Sequence, residues 1–204
     1  MKLAKLSLAA MVVAGLATSS FAADTLADAF AKGKVSGELR AWYFDRDYTY
    51  EEKTVVGSKS TNDADIFNAG LVLGYVTDSF YGFSIGATMQ SSYAPFADTD
   101  AKADFKTDMW GSGAVLSEAY LAYTMKNTSV KVGRQFITTP LVAGSGSRMI
   151  KQAFEGATIV NTDIPNTTLA AGVVTKYQNR TSSNGYFLEN ANVASTKAIV
   201  VDGD

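Results

Sequence analysis

Charged side chains recur at two-residue spacing inside otherwise β-rich runs, and these are the residues that could do chemistry. Glu38 and Arg40 share one face of a run from about Lys34 to Phe44, Glu118 lies opposite Ala119 and Leu121, Lys131 stands between Val130 and Val132, and Lys176 alternates with Val173 and Tyr177. Side chains along a strand point alternately to opposite faces, so each charge occupies the face away from the apolar one. A row of cations on a wet wall attracts and guides acidic groups. Paired with Glu38 or Glu118, the same cations form a self-neutralised, solvated surface, and the spacing leaves both readings open. Bond-making chemistry has less to work with. The chain contains no His, so neither a Ser-His-Asp arrangement nor a His-containing metal site can form, and it has no GxSxG and no P-loop. No enzyme activity, cofactor or metal is expected.

The elements that must position these charges read as strands. Phe67, Ala69, Leu71, Leu73 and Tyr75 alternate with Asn68, Gly70 and Gly74, and past a turn at Thr77-Asp78-Ser79 the pattern resumes as Tyr81, Phe83, Ile85, Ala87 and Met89. The reading gives strands at about 34–44, 66–76, 80–90, 114–126, from Val130 through Val132, 156–163, Leu169 to Gln178, and 191–201. Short turns join the second to the third, the fourth to the fifth and the sixth to the seventh. Long polar segments, about 45–65, 91–113, 138–155 and 179–190, join the others. A short amphipathic stretch, Asp24 to Lys32, opens the run as a helical or extended segment. Arg134 falls on the outward, apolar face if the alternation from Val130 continues, unless a bulge at Gly133 resets the register.

Lys2 and Lys5 precede an apolar run from Leu8 to Ala17, followed by Ser20-Phe21-Ala22. A basic start, a short apolar core and a small-x-small ending make residues 1–22 a secretory signal peptide, cleaved after Ala22. Its removal takes away two lysines and no acid, moving the formal charge from −2 to −4, and nothing in that balance suggests a nucleic-acid partner. The absence of Cys leaves packing and backbone pairing to stabilise an exported protein. No later segment approaches the length of an apolar helical span.

Short turns on one rim and long loops on the other are the habit of transmembrane β-barrels. A periplasmic β-sandwich also alternates, burying its apolar faces in a shared core. The aromatics favour the barrel, because Tyr43, Phe44, Phe67, Tyr75, Phe80, Tyr81 and Tyr123 lie near strand ends, where interfacial girdles sit. The acidic series Asp98, Asp100, Asp104 and Asp108 lacks the Gly and terminal Glu of an EF-hand loop and reads as a solvated loop.

Two stretches resemble the OprD-type outer-membrane porins. The first is Leu39-Arg40-Ala41-Trp42-Tyr43-Phe44-Asp45-Arg46-Asp47. The second is Val130-Lys131-Val132-Gly133-Arg134-Gln135, then Thr139-Pro140-Leu141, Ser147-Arg148-Met149 and Phe154-Glu155-Gly156, continuing into Leu169-Ala170-Ala171-Gly172. The chain departs from the family pattern at Gly146, where an acid usually precedes the Ser-Arg pair, and at Ile150-Lys151, where a Pro usually follows. Family members are about twice this length and a channel-forming porin takes roughly 16 to 18 strands, so the chain reads as an N-terminal part, residues 23–204, of an all-β transmembrane antiparallel barrel. Its small inward residues, often Gly, Ser, Ala and Thr, suit a wider lumen than that of an eight-stranded barrel, which side chains just fill.

The resemblance makes the segment from Thr138 to Glu155 a third loop that folds into the lumen and narrows it, with Pro140, Ser147, Arg148 and Glu155 as its marked residues. Arg148 is then the cation projecting into the constriction, or an Arg holding the loop through an acid such as Glu155. Arg40, Lys131, Lys176, Glu38 and Glu118 line the pore wall. The function implied is passive diffusion of small hydrophilic, carboxylate-bearing solutes across the Gram-negative outer membrane. The surroundings would be membrane lipid and lipopolysaccharide, with homo-oligomerisation left open. The alternative is a small non-channel outer-membrane barrel with a structural or adhesive role.

Overall fold

A computed structural model describes residues 23–51, 59–105, 111, 113–139, 142–180 and 190–203; the expected signal peptide, 1–22, lies outside them. Among the described residues eight strands follow one another as β1 (Lys34–Glu51), β2 (Lys59–Val76), β3 (Phe83–Ser92), β4 (Gly113–Met125), β5 (Thr128–Gln135), β6 (Ala153–Asn161), β7 (Thr167–Gln178) and β8 (Asn190–Gly203). Each pairs antiparallel with the next in a single sheet of order β1 to β8. The helices are short: α1 (Leu26–Ala31) before β1 and α2 (Thr99–Phe105) between β3 and β4. Thr25 caps α1, its hydroxyl accepting from the Asp28 N–H at 3.0 Å.

The distribution of side chains is inverted relative to a soluble protein. Leu39 is 85% exposed and Val35 77%, with Leu73, Leu121, Val132 and Ile159 also exposed, whereas Asn68, Gln90 and Ser117 are fully buried and Gln178 nearly so. Apolar residues face out and polar residues face in. A sandwich would do the reverse, because its stability comes from taking the apolar faces out of water; a wall standing in lipid has no such need. Among the described residues no helix is long and apolar enough to cross a membrane. Aromatic pairs sit at the short-turn rim: Phe80 lies edge-on to Tyr81 with centroids 4.6 Å apart, and Phe83 meets Tyr123 at 4.7 Å. Phe44 departs from the girdle, packing against the buried cluster of Ile66, Ala94 and Phe105.

Three expectations are corrected. The segment 45–65 is not a loop throughout, because β1 and β2 stay in register out to Glu51 opposite Lys59. A ladder satisfies backbone N–H and C=O groups whatever the side chains are, so strands continue past their apolar stretch. The segment 91–113 likewise contains α2, with the Asp98 carboxylate accepting the Ala101 N–H at 2.8 Å. Finally, no bulge occurs at Gly133, past which the pairing with β4 and β6 runs unbroken. Gly133 instead has φ +121, and a Cβ there would fall 2.3 Å from the Ala119 carbonyl. The register shifts lie elsewhere, where Ser117 is left over between Leu116 and Glu118 against β3 and Thr175 between Val174 and Lys176 against β6.

Candidate functional site

The third long connection, residues 136–152, leaves the rim and lies on the polar face of the sheet. It opens with a tight reversal in which Thr138 and Ala143 form an isolated bridge and the Thr139 N–H donates to the Val142 carbonyl at 2.8 Å. Pro140, expected among the marked residues of the third loop, lies outside the described residues. The loop then closes on itself, the Gln152 N–H donating to the Ser145 carbonyl at 3.1 Å. Met149 and Ile150 are fully buried against the wall. Gly70 makes room for them, since a Cβ there would lie 2.8 Å from the Met149 methyl carbon.

Side chains from three strands meet residues 149–151, and a fourth strand backs two of them. Arg40 on β1 donates to the Met149 carbonyl at 2.9 Å. Gln90 on β3 and Gln178 on β7 donate to the Lys151 carbonyl, and both also donate to Ser117 on β4. In a flat sheet β1 and β7 would stand six strand spacings apart, roughly 29 Å. Both reach one short peptide, so the sheet curls around the loop.

The expected site residues fall into separate groups. Arg40 is committed to Glu38 through Nε at 2.7 Å and Nη2 at 3.0 Å, so this pair holds the loop with little net charge. Glu118 accepts from the Thr88 hydroxyl at 2.7 Å and from the Phe136 N–H at 3.2 Å, fixing the point where the loop departs. Lys131 places its ammonium 4.1 Å from the centre of the Tyr120 ring. Glu155 belongs to β6, not to the loop, and its partners are Arg134 at 3.4 Å and Lys176 at 3.5 Å. The register sets Arg134 opposite Glu155 and Glu155 opposite Lys176. Glu155 therefore holds two cations of the neighbouring strands, Arg134 and Lys176.

Arg148 sits on the loop's surface, its Nη1 donating to the Ser147 carbonyl at 2.9 Å. Beside it stands Arg180, just past β7, a residue the sequence did not single out. Arg180 donates through Nη1 to the hydroxyls of Ser145 and Ser147, the latter at 3.1 Å. Burial first, and then the neighbouring Arg148 charge, push the Arg180 guanidinium below its usual value. It remains a cation, since arginine starts far above neutral pH. Two guanidiniums and two serine hydroxyls thus gather on one side of the seated loop. Such an array can offer several N–H and O–H donors to an oxyanion in water. Among the described residues, no group of three or more His, Cys, Asp or Glu could hold a metal ion.

Comparison with known proteins agrees with this architecture. The model of a family described as outer membrane porin, OprD family, matches residues 28–201. Acinetobacter baumannii OccAB3 superposes with a TM-score of 0.65 at 18% identity, over 85% of this chain and 47% of that one. Pseudomonas aeruginosa OpdO gives 0.63 at 19% identity, over 87% and 44%. The structure of P. aeruginosa OpdK with vanillate gives 0.60 at 14% identity, over 81% and 40%. At these identities the likeness speaks for the fold alone, and the chain spans less than half the length of these solved structures. No functionally curated protein matches the chain.

Proposed function

The chain belongs to the OprD family of outer membrane porins, and from that premise we propose that it supplies wall and constriction to a water-filled β-barrel through which small hydrophilic solutes diffuse passively. Membership puts the chain in the Gram-negative outer membrane, and lipopolysaccharide beside its outer rim is part of the proposal. The observation that carries the reading is the seated third loop, which presents Arg148 beside Arg180 on the polar side of a sheet whose other side is apolar. Two adjacent cations on a narrowed aqueous path favour anionic groups, so carboxylate-bearing solutes are the proposed class. The vanillate in the OpdK structure is itself a carboxylate and supports that choice.

Among the described residues the sheet runs from β1 to β8 without pairing the two to each other, which favours part of a wider barrel over a closed eight-stranded one. The test is single-channel recording of the full-length gene product in a planar bilayer under a salt gradient. Discrete conductance steps are expected, with a reversal potential that moves toward cation preference in Arg148→Ala. A protein that inserts but gives no steps would remove the porin reading; an unchanged reversal potential would remove Arg148 from the filter.

A further inference from the structure

The loop that bears Arg148 is fastened to the wall by an uncharged side-chain latch. Gln90 is fully buried and engages both backbone groups of one loop residue. Its Oε1 accepts from the Lys151 N–H at 3.0 Å, while its Nε2 donates to the Lys151 carbonyl at 3.0 Å and to the Ser117 hydroxyl at 2.6 Å. Gln178 approaches from β7, donating to the same hydroxyl at 3.1 Å and the same carbonyl at 3.4 Å. Ser117 is the residue left over where the β3–β4 register shifts. That extra residue lets two consecutive polar side chains, Ser117 and Glu118, serve the loop, Glu118 through the Phe136 N–H.

From this geometry we infer that Gln90, with Ser117 and Gln178, is a positioning element that sets the height of the third loop in the lumen and so the place of Arg148 in the constriction. The inference rests on the pore reading above only for its consequence, since the latch exists whatever passes. Three features make it more than a chance contact. A glutamine amide presents one donor and one acceptor side by side, which matches the N–H and C=O of a single extended residue. The bonds to Ser117 are buried and those to Lys151 partly so, and breaking them leaves a partly buried peptide unit without its wall partners. The latch is also neutral, and it holds the loop without altering the charge that Arg148 and Arg180 present.

Gln90→Leu keeps the volume and removes every one of the Gln90 bonds. The loop then populates a lifted state about tenfold more often, as expected for a partly buried backbone group that loses its partner. Trypsin added to the folded full-length protein in lipid should cut after Arg148 or Lys151 about tenfold faster than in the wild type, with Met149 or Gln152 as the new N-terminus. Cutting at the other lysines and arginines should not change, which separates a released loop from a loosened barrel. In bilayer recordings the same variant should flicker between conductance levels and lose part of its anion preference while retaining Arg148. Ser117→Ala and Gln178→Leu each remove one arm and should give smaller increases at the same bonds, which keeps the test alive if Gln90→Leu does not fold. Wild-type cleavage at Arg148 and Lys151 in all three variants would overturn the latch. A wild-type protein without conductance would remove the pore reading and leave the trypsin result to decide the latch by itself.

Discussion

Between β1 and β2 the chain leaves its apolar-faced stretch and goes on pairing; between β5 and β6 it stops pairing and folds back onto the wall. Composition separates the two connections: the first is dense in charges, whereas residues 136–152 carry only Arg148 and Lys151 among apolar side chains such as Ile137, Met149 and Ile150, which are buried. The first satisfies its backbone across a ladder that reaches Glu51 and Lys59. The third satisfies its backbone through wall side chains distant in sequence, Arg40 to Met149 and Gln90 to Lys151. A connection therefore folds onto the wall when the wall offers it side-chain partners, and extends the rim when it offers itself a strand.

The largest effect should come from filling the space beneath the third loop. A Cβ at Gly70 would lie 2.8 Å from the Met149 methyl carbon and 2.3 Å from the Ser91 carbonyl, and the backbone cannot yield as a flexible side chain can. Gly70→Val should lower the folded barrel's stability by about 3 kcal/mol, read from the denaturant midpoint in lipid vesicles, and should expose the loop to trypsin. If Gly70→Val left both unchanged, the loop would not rest on β2 and the contrast between the two connections would lose its physical basis.

Next in size is the charge the loop carries. Arg148→Ala and Arg180→Ala each remove one of two adjacent cations, so each should shift the reversal potential toward cation preference, with the double variant shifting it further. The two effects should add to less than their sum, since neighbouring like charges weaken one another and groups in one network couple. Arg180→Ala should also release the Ser145 and Ser147 hydroxyls, adding channel noise that Arg148→Ala lacks. Strict additivity would place the two arginines in separate environments.

The wall was legible because alternation is a local signal: Leu39 against Arg40 and Val132 against Lys131 declare their faces from sequence alone. The position of Arg148 on the third loop came from the family resemblance. What stayed hidden depends on pairing between distant segments. The extension of β1 to Glu51 is invisible because a ladder outside the apolar zone demands no side-chain pattern. Glu155 looked like loop until its register with Arg134 and Lys176 fixed it in β6. Gly133 looked like a bulge because glycines mark bulges, yet the shifts fall at Ser117 and Thr175, which carry no local sign. Gln90 and Gln178 resemble any wet-face residue, and Arg180 any loop cation, until the fold brings them to residues 145–151.

The smallest effect should arise on the other side of the comparison, where the β1–β2 extension touches the second connection. Arg46 donates to the Asp104 carbonyl at 3.1 Å and lies over the Phe105 ring, 4.5 Å from its centre. Phe105 is buried with Ile66 and Ala94, and Phe44, Ala64 and Ala97 also pack against that cluster. Arg46→Ala thus removes this hydrogen bond and this cation–π contact among the contacts Arg46 makes, a loss of about 1 kcal/mol from these two. Amide exchange in α2 should quicken by about fivefold through easier local opening, while the trypsin sites at Arg148 and Lys151 and the reversal potential stay as in the wild type. A shift in reversal potential as large as that of Arg148→Ala would mean that the second connection also reaches the ion path. The division between a rim extension and a filter would then have to be redrawn around both loops.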